Sequence, residues 1–351
     1  MRTPFAIGVV GLDRGGADIA RVFAELPQAN LRWICDERPE LLLDARRRFA
    51  YTESTSHVED LLEDESLDAI AVSGPESARP RIATLALERD KHVFAPGLVA
   101  RAASEVDALI DLAQQQDRCL LIAPARLFDP GIRLLHELIE VGRLGELYYL
   151  RSVRNDVVPQ QGRDVLWWLG CEDAAIMLTI LGDEPIDVSA RAEAFRHEGL
   201  ADVVSCHFRF ATGIAGQLYL SAMEAQSEYR VVAVGDAATV VFDAYKTMRR
   251  LSIFRRPAAR ANRGDAVRSP YVEDTDFLTE ACVRFLEAVA RPRLFPIVGN
   301  HEVSSAISLV EAAQASIEAE GRVEAVGRIA RTVGRAPDAT PVIQLPVRRS
   351  S

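Results

Sequence analysis

The residues of this 351-residue chain able to do chemistry gather in three short stretches. The first is GVVGLDRGGADIARVF, where Gly11 and Gly16 take the first and third places of a G-x-G-x-x-G turn and Asp13 takes the second. Such a turn sets a pyrophosphate on a helix N-terminus, whose N–H groups and dipole attract an anion. The middle glycine normally lets the backbone approach the phosphates, and Asp13 puts a Cβ and a negative charge there. Two like charges ~4 Å apart at an effective dielectric of ~20 repel by roughly 4 kcal/mol, about a thousandfold in affinity. Arg14 offsets part of this if it reaches the phosphates.

The second stretch ends at Asp36, 25 residues beyond Gly11. An acid there hydrogen-bonds an adenosine ribose and favours NAD over NADP; the plainer reading is a cap for the helix starting near Pro39. The third is WLGCED, Trp168 to Asp173. Trp168 and Glu172 stand i, i+4 and share a helix face. Glu172 can act as a base if burial raises its pKa, so Glu172, Asp173 and Arg126 are the candidates for catalytic chemistry. Cys171 between them reads as a small buried hydrophobe rather than a nucleophile.

The elements that must position these residues follow from patterning. The first 125 residues alternate strand-like runs (Phe5–Val10, Leu31–Cys35, Ala69–Ser73, His92–Ala95, Cys119–Ala123) with amphipathic stretches such as Ile19, Val22, Phe23 and Leu26. This alternation predicts an α/β architecture with a doubly wound parallel sheet over residues 1–125. A helix follows, with Asp129 as N-cap, Pro130 in its first turn and Gly142 past its end. Residues 126–335 then read as an α+β domain: a helix near Val165–Leu181, strands at Ile186–Phe195, Ala201–Phe210, Ile214–Ala222, Tyr229–Val234, Ala238–Phe242 and Leu251–Phe254, and helices at Phe277–Ala290 and Glu302–Glu320. Strands without intervening helices predict a mostly antiparallel sheet. Arg255–Arg268 lacks periodicity and reads as an arginine-rich loop, a solvated segment or a dock for an anionic partner. Residues 336–351 read as a flexible tail.

The bulk composition removes several classes. With 48% apolar and 26% charged residues the chain is a globular protein. A net charge of -10 argues against nucleic-acid binding. No run of 18 apolar residues predicts a membrane helix, and the apolar core of MRTPFAIGVVGL is a strand rather than a signal segment. Five scattered cysteines and six histidines lack metal-ligand spacing, so the expectation is a reduced cytoplasmic setting and no metal.

These stretches, with LDAIAVSGP, ALERDKHVF, FDPGIRLLHELIEVGRLGELYYLRS, VLWWLGCEDAAIMLTILGDEP and RFLEAVARPRLFPIVGNHEVSSAISLVEAAQASIEAEGR, resemble the glucose–fructose oxidoreductase/inositol dehydrogenase family (Gfo/Idh/MocA) over roughly residues 5–325. The flow of the second half is nearest to members that oxidise UDP-linked sugars. The resemblance implies a Rossmann domain followed by an open-faced sheet, with a sugar-like ligand between them and oligomers joined through the sheet. It also shows what differs. The family's E-K-P falls on Pro96-Gly97-Leu98, its lysine being Gly97. The aspartate and the histidine base of D-x-G/A-x-H are Trp168 and Glu172. T-P-N-x-x-H becomes Gly74-Pro75-Glu76-Ser77-Ala78-Arg79, keeping Pro75. Oxidising an alcohol by hydride transfer requires a base for the hydroxyl proton, and Gly97 offers no side chain.

Two readings follow. One is a pseudoenzyme that binds a ligand, and NAD at most weakly through Gly11, Arg14, Gly16, Asp36 and Pro75, as a homo-oligomer or beside an active paralogue. The other is an NAD-dependent oxidoreductase on a sugar or sugar nucleotide, with Glu172 replacing the histidine.

Overall fold

The structure, a computed structural model, describes residues 4–156, 164–255, 268–292 and 300–327. The first sheet is parallel: β1 (Phe5–Val10), β2 (Ala29–Cys35), β3 (Glu53–Thr55), β4 (Ala69–Val72), β5 (His92–Pro96) and β6 (Leu120–Ala123), in the order β3-β2-β1-β4-β5-β6. Between them run α1 (Arg14–Glu25), α2 (Pro39–Arg48), α3 (Val58–Glu63), α4 (Arg79–Glu88) and α5 (Ala103–Gln115). Helices cover both faces, which is why β1 and β4 read as unbroken apolar runs. Ile7 and Val9 join the core that holds α1, while Ala6 and Val10 join the core that holds Leu61, Ala83 and Val106. The strand order reverses between β1 and β4, the switch point at which open α/β sheets bind ligands beyond their strands' carboxyl ends.

The second sheet has eight strands among the described residues: β7 (Leu147–Asn155), β8 (Pro185–Glu193), β9 (Val203–Phe210), β10 (Ala215–Ser221), β11 (Glu228–Gly235), β12 (Ala238–Asp243), β13 (Leu251–Arg255) and β14 (Glu324–Ala325). Their order is β13-β12-β11-β7-β10-β9-β8-β14, antiparallel except for the parallel pair β7 and β10. One face packs on α6 (Pro130–Glu140), α7 (Cys171–Leu181) and α9 (Asn300–Glu318). Helix α8 (Phe277–Ala290) turns back to the first sheet, where Phe285 meets Phe23 and Phe94 at ring separations of 6.5 and 5.4 Å. Helix α9 ties the halves together. Its buried Asn300 donates to Leu120 O (2.7 Å) and accepts from Ile122 N (2.9 Å), so the side-chain amide extends the ladder of edge strand β6.

The predicted architecture is the observed one, with local differences. Strands β3, β7 and β14 and helix α3 were not anticipated. In β7 the buried, helix-facing positions include Ser152 beside Leu150, so polar residues interrupt the apolar alternation that marks a strand. The helix expected from Val165 begins as a π turn, Leu166–Gly170, and becomes α-helical only at Cys171. Trp168 and Glu172 therefore do not share an α-helical register. The wider turn rotates one against the other, a distortion that recurs at functional sites. Gly182 ends α7 at φ 60°, a left-handed cap. Of the arginine-rich loop, Arg255 ends β13 and the Ile253 N–H donates to Arg268 O at 2.8 Å, while residues 256–267 and the tail 336–351 lie outside the described residues. No described helix is long and apolar enough to cross a membrane.

Candidate functional site

The glycines of the first turn answer to the chain's own packing. A Cβ on Gly11, which sits at φ +84°, would lie 2.3 Å from Gly74 N, and one on Gly16 would lie 1.7 Å from Gly11 O. The turns after β1 and β4 are pressed together. Asp13 needs no such freedom, having φ -59°. It is the N-cap of α1: its Oδ1 accepts from Gly16 N at 3.0 Å and from Ser73 Oγ at 3.2 Å. The anion at this helix N-terminus is thus a side chain of the protein itself. Arg14, the first residue of α1, is exposed.

Asp36 is not the cap of α2, whose N-cap is Arg38 without a side-chain bond. Its carboxylate is buried and fully engaged. Oδ2 accepts from Leu12 N (2.6 Å) and Arg38 Nη2 (2.8 Å), and Oδ1 from Arg38 N (2.9 Å) and Arg38 Nε (2.8 Å). Burial pushes its pKa up, but the Arg38 fork and the two backbone donors outweigh burial and hold it below the usual carboxylate value. Two adjoining cavities open here. One of about 480 Å³ is lined by Gly11, Asp36, Arg38, Val58, Ser77 and Arg81, and one of about 610 Å³ by Asp13, Arg38, Glu76, Arg79 and Arg101. Pro75 is exposed and borders both. The first has the position and size for the adenosine end of a dinucleotide. The turn beside it, with Asp13 on the helix N-terminus, does not suit a pyrophosphate.

The third stretch comes together with residues from the second sheet. Arg154, near the end of β7, donates through Nη1 to Glu172 Oε2 (2.6 Å) and Asp173 Oδ1 (2.8 Å). Asp173, fully buried, also accepts from Ser152 Oγ at 2.7 Å. Glu172 accepts in addition from Arg126 N at 3.3 Å. Tyr229, opposite Arg154 across the β7–β11 ladder, lies under both guanidinium groups, with Arg126 4.8 Å and Arg154 5.4 Å from its ring centroid. Phe277 flanks Arg126 at 5.5 Å. The Tyr229 hydroxyl is buried and has no hydrogen-bond partner among the described residues.

The electrostatics of this cluster reverse the expectation for Glu172. Burial pushes its pKa up, but the Arg154 and Arg126 charges and the bonds to both residues outweigh it, so the carboxyl sits below its ordinary value. Burial wins at Asp173, whose pKa is raised despite Arg154 and Ser152. Burial likewise lifts Tyr229 well above the usual phenol value. Glu172 is therefore an ionised partner of an arginine. As a proton acceptor it is weaker than an unperturbed glutamate.

Around the strand ends the chain binds itself. Gly97, at φ +72° after β5, donates to Ala123 O at 2.7 Å, and a Cβ there would meet nothing within 4 Å. The space for a side chain exists, but the backbone conformation disfavours one. Arg79 donates to Gly74 O (3.0 Å) and Leu98 O (2.7 Å), clamping the turn after β4 to the loop after Pro96. Arg101 reaches Glu76 Oε2 from two nitrogens (2.8 and 2.9 Å) and lies 5.4 Å from the Trp167 ring centroid. Trp168 is half-buried against the core, as is Trp167.

Arg38, Arg79, Ser152, Arg154 and Tyr229 are the site residues that the sequence reading missed. Arg38 had a local signal, standing two residues after Asp36. Ser152 and Arg154, at alternate positions of an amphipathic run, were signalled only by their spacing.

Comparison with known proteins places these features in a lineage. Residues 5–123 match the family model described as an oxidoreductase family, NAD-binding Rossmann fold, and residues 132–241 match the GFO/IDH/MocA C-terminal domain. Myo-inositol 2-dehydrogenase of Thermotoga maritima is 24% identical over 221 residues, covering 60% of this chain and 66% of that protein. UDP-N-acetylglucosamine 3-dehydrogenase of Acidithiobacillus ferrooxidans is 27% identical over 187 residues, covering 52% of this chain and 56% of its own length. The chain thus spans about half to two thirds of these relatives. The solved structure of that UDP-sugar enzyme superposes with a TM-score of 0.78 at 22% identity, over 91% of this chain and 99% of that one. Levoglucosan dehydrogenase in complex with NADH superposes with a TM-score of 0.80 at 18% identity, over 93% and 100%.

Proposed function

Because the chain belongs to the Gfo/Idh/MocA oxidoreductase family, we propose that it is a non-catalytic member, which holds a sugar-like or sugar-nucleotide ligand between its two sheets without oxidising it. The observation that carries this reading is the capture of Glu172 by Arg154 at 2.6 Å. Glu172 stands where the resemblance puts the family's base, and a base must be free to accept the alcohol proton as the hydride departs. Trp168 in the aspartate position and Gly97 in the lysine position support it, since neither can pass on or receive that proton.

The test is direct. The purified protein with NAD or NADP and UDP-sugars, inositols or free hexoses should give no reduced cofactor above a heat-killed control. Gly97→Lys should not restore turnover, because the base is still missing and catalytic groups act as a unit. Sustained turnover abolished by Glu172→Gln would establish instead that Glu172 serves as the base. That alternative draws on the relatives that are themselves dehydrogenases.

The open face of the second sheet suits a partner subunit, either a second copy of this chain or an active paralogue. Tyr149, Val153 and Tyr219 lie together there, on the face opposite the helix-covered Leu150 and Leu218. Light scattering at micromolar concentration should report a dimer or tetramer, and Tyr149→Glu with Tyr219→Glu should release monomer.

A further inference from the structure

The cavity beside Asp36 has a chemistry that its position alone does not give. An acid at the end of the second strand is expected to receive the ribose hydroxyls of an adenosine. A carboxylate has about four lone-pair sites, and in Asp36 four donors already use them: Leu12 N, Arg38 N, Arg38 Nε and Arg38 Nη2. Only 3% of its side chain is exposed, against 43% for Arg38. What the cavity meets at the ribose position is the guanidinium laid over the acid.

A second cation lines the same cavity. Arg81, exposed on the first turn of α4, lines the same cavity of about 480 Å³ and has no carboxylate within ion-pair distance among the described residues. Glu37 is the other charged group on this lining. Val58, Ile82 and Leu85 give an apolar wall on which a purine can lie. The pocket therefore combines apolar side chains with two guanidinium groups. Its acid is neutralised from within.

We propose that this pocket selects an adenosine carrying a phosphate on its 2′ oxygen, with Arg38 and Arg81 as the residues that recognise that phosphate. Arg38 keeps Nη1 uncommitted after its fork to Asp36, and guanidinium–phosphate bonds are among the stronger charge-assisted contacts. A plain ribose gains little, because its hydroxyl would have to displace Arg38 to reach the acid. The choice is thus reversed from the one that Asp36 suggests in the sequence, and NADP is preferred over NAD. The inference concerns binding alone and stands whether or not hydride transfer occurs.

Calorimetric titration of the whole protein with adenosine 2′-monophosphate, adenosine 5′-monophosphate, NAD and NADP tests it. The 2′-phosphate compound should bind about tenfold or more tightly than the 5′-phosphate compound, the scale of one charge-assisted contact. NADP should exceed NAD by a similar factor. Arg38→Ala should abolish this preference and improve NAD, since it uncovers Asp36. Arg81→Ala, at an exposed position, should weaken the 2′-phosphate ligands by a larger factor than it weakens NAD. Equal affinity for the two monophosphates, tighter NAD than NADP, or a preference untouched by both variants would overturn the proposal, as would no binding of any of the four at millimolar concentration.

Discussion

The turn after β1 and the cluster at the start of α7 meet one problem in different ways. Each lies beyond the carboxyl ends of the first sheet's strands, where the fold gathers polar groups for a ligand, and each satisfies those groups from within the chain. In the turn, Asp13 caps the helix N-terminus and Arg38 covers Asp36, yet cavities remain open on either side of Arg38. In the cluster, Arg154 lies between Glu172 and Asp173, with 11% of its side chain exposed and theirs at 20% and 0%. The turn pairs its charges internally and still borders open cavities. The cluster holds its charged groups in bonds to one another.

The comparison is most strongly tested at Arg154. Removing one member of a buried ion pair leaves an uncompensated charge and typically costs about 3–5 kcal/mol. Arg154→Met should lose stability on that scale in urea denaturation, because both Glu172 and Asp173 depend on it. Arg101→Ala breaks the exposed pair with Glu76, where 54% of the arginine side chain is accessible, and should cost under about 1 kcal/mol. Similar losses for the two variants would remove the distinction between a locked cluster and an accessible turn.

The readability of the two regions from sequence follows the same division. The turn is local. Gly11, Gly16 and the Phe5–Val10 strand sit in one continuous stretch, and the strand is observed with the boundaries its apolar run predicts. The position of Asp36 was also legible; its saturation by Arg38 depends on a rotamer and was not. The cluster is assembled from Arg126, β7, α7 and β11, with Arg126 and Tyr229 more than a hundred residues apart in sequence. Ser152 and Arg154 face inward on a strand whose polar inner positions hid it. The π turn at Leu166–Gly170 left no mark in the residue types, so helical spacing paired Trp168 with Glu172 across a register that the chain does not keep. Helix α8, by contrast, was found with its boundaries intact because its apolar period is regular.

The next effect is smaller and belongs to the turn. If Asp13 deters a pyrophosphate, NAD should bind more weakly than ~100 µM, as a micromolar site would after part of the like-charge penalty. Asp13→Gly should tighten NAD and NADP alike by about tenfold, or ~1.4 kcal/mol. The variant is a clean one, since glycine serves at an N-cap with a loss of only a few tenths of a kcal/mol. Affinity unchanged by the substitution would mean that Asp13 swings away from its bond to Gly16 N when a dinucleotide arrives.

The finest test reads pH. Asp36 has a folded pKa below its ordinary value, so its contribution to stability is complete above about pH 4 and is lost as pH falls through the folded value. In the cluster the two carboxylates run in opposite directions. Glu172, lowered, behaves as Asp36 does; Asp173, raised, disfavours the folded state when ionised and regains stability as acid protonates it. The two act in different windows, Asp173 above about pH 4 and Glu172 below it, whereas Asp36 acts in one direction alone. Stability measured between about pH 5 and pH 2 should therefore lose part of its acid slope in Asp36→Asn. The double variant Glu172→Gln with Asp173→Asn should lose both the gain on acidification above about pH 4, due to Asp173, and the loss below it, due to Glu172. If the double variant flattened the curve below about pH 4 and Asp36→Asn did not, the acid-sensitive region would be the cluster rather than the turn.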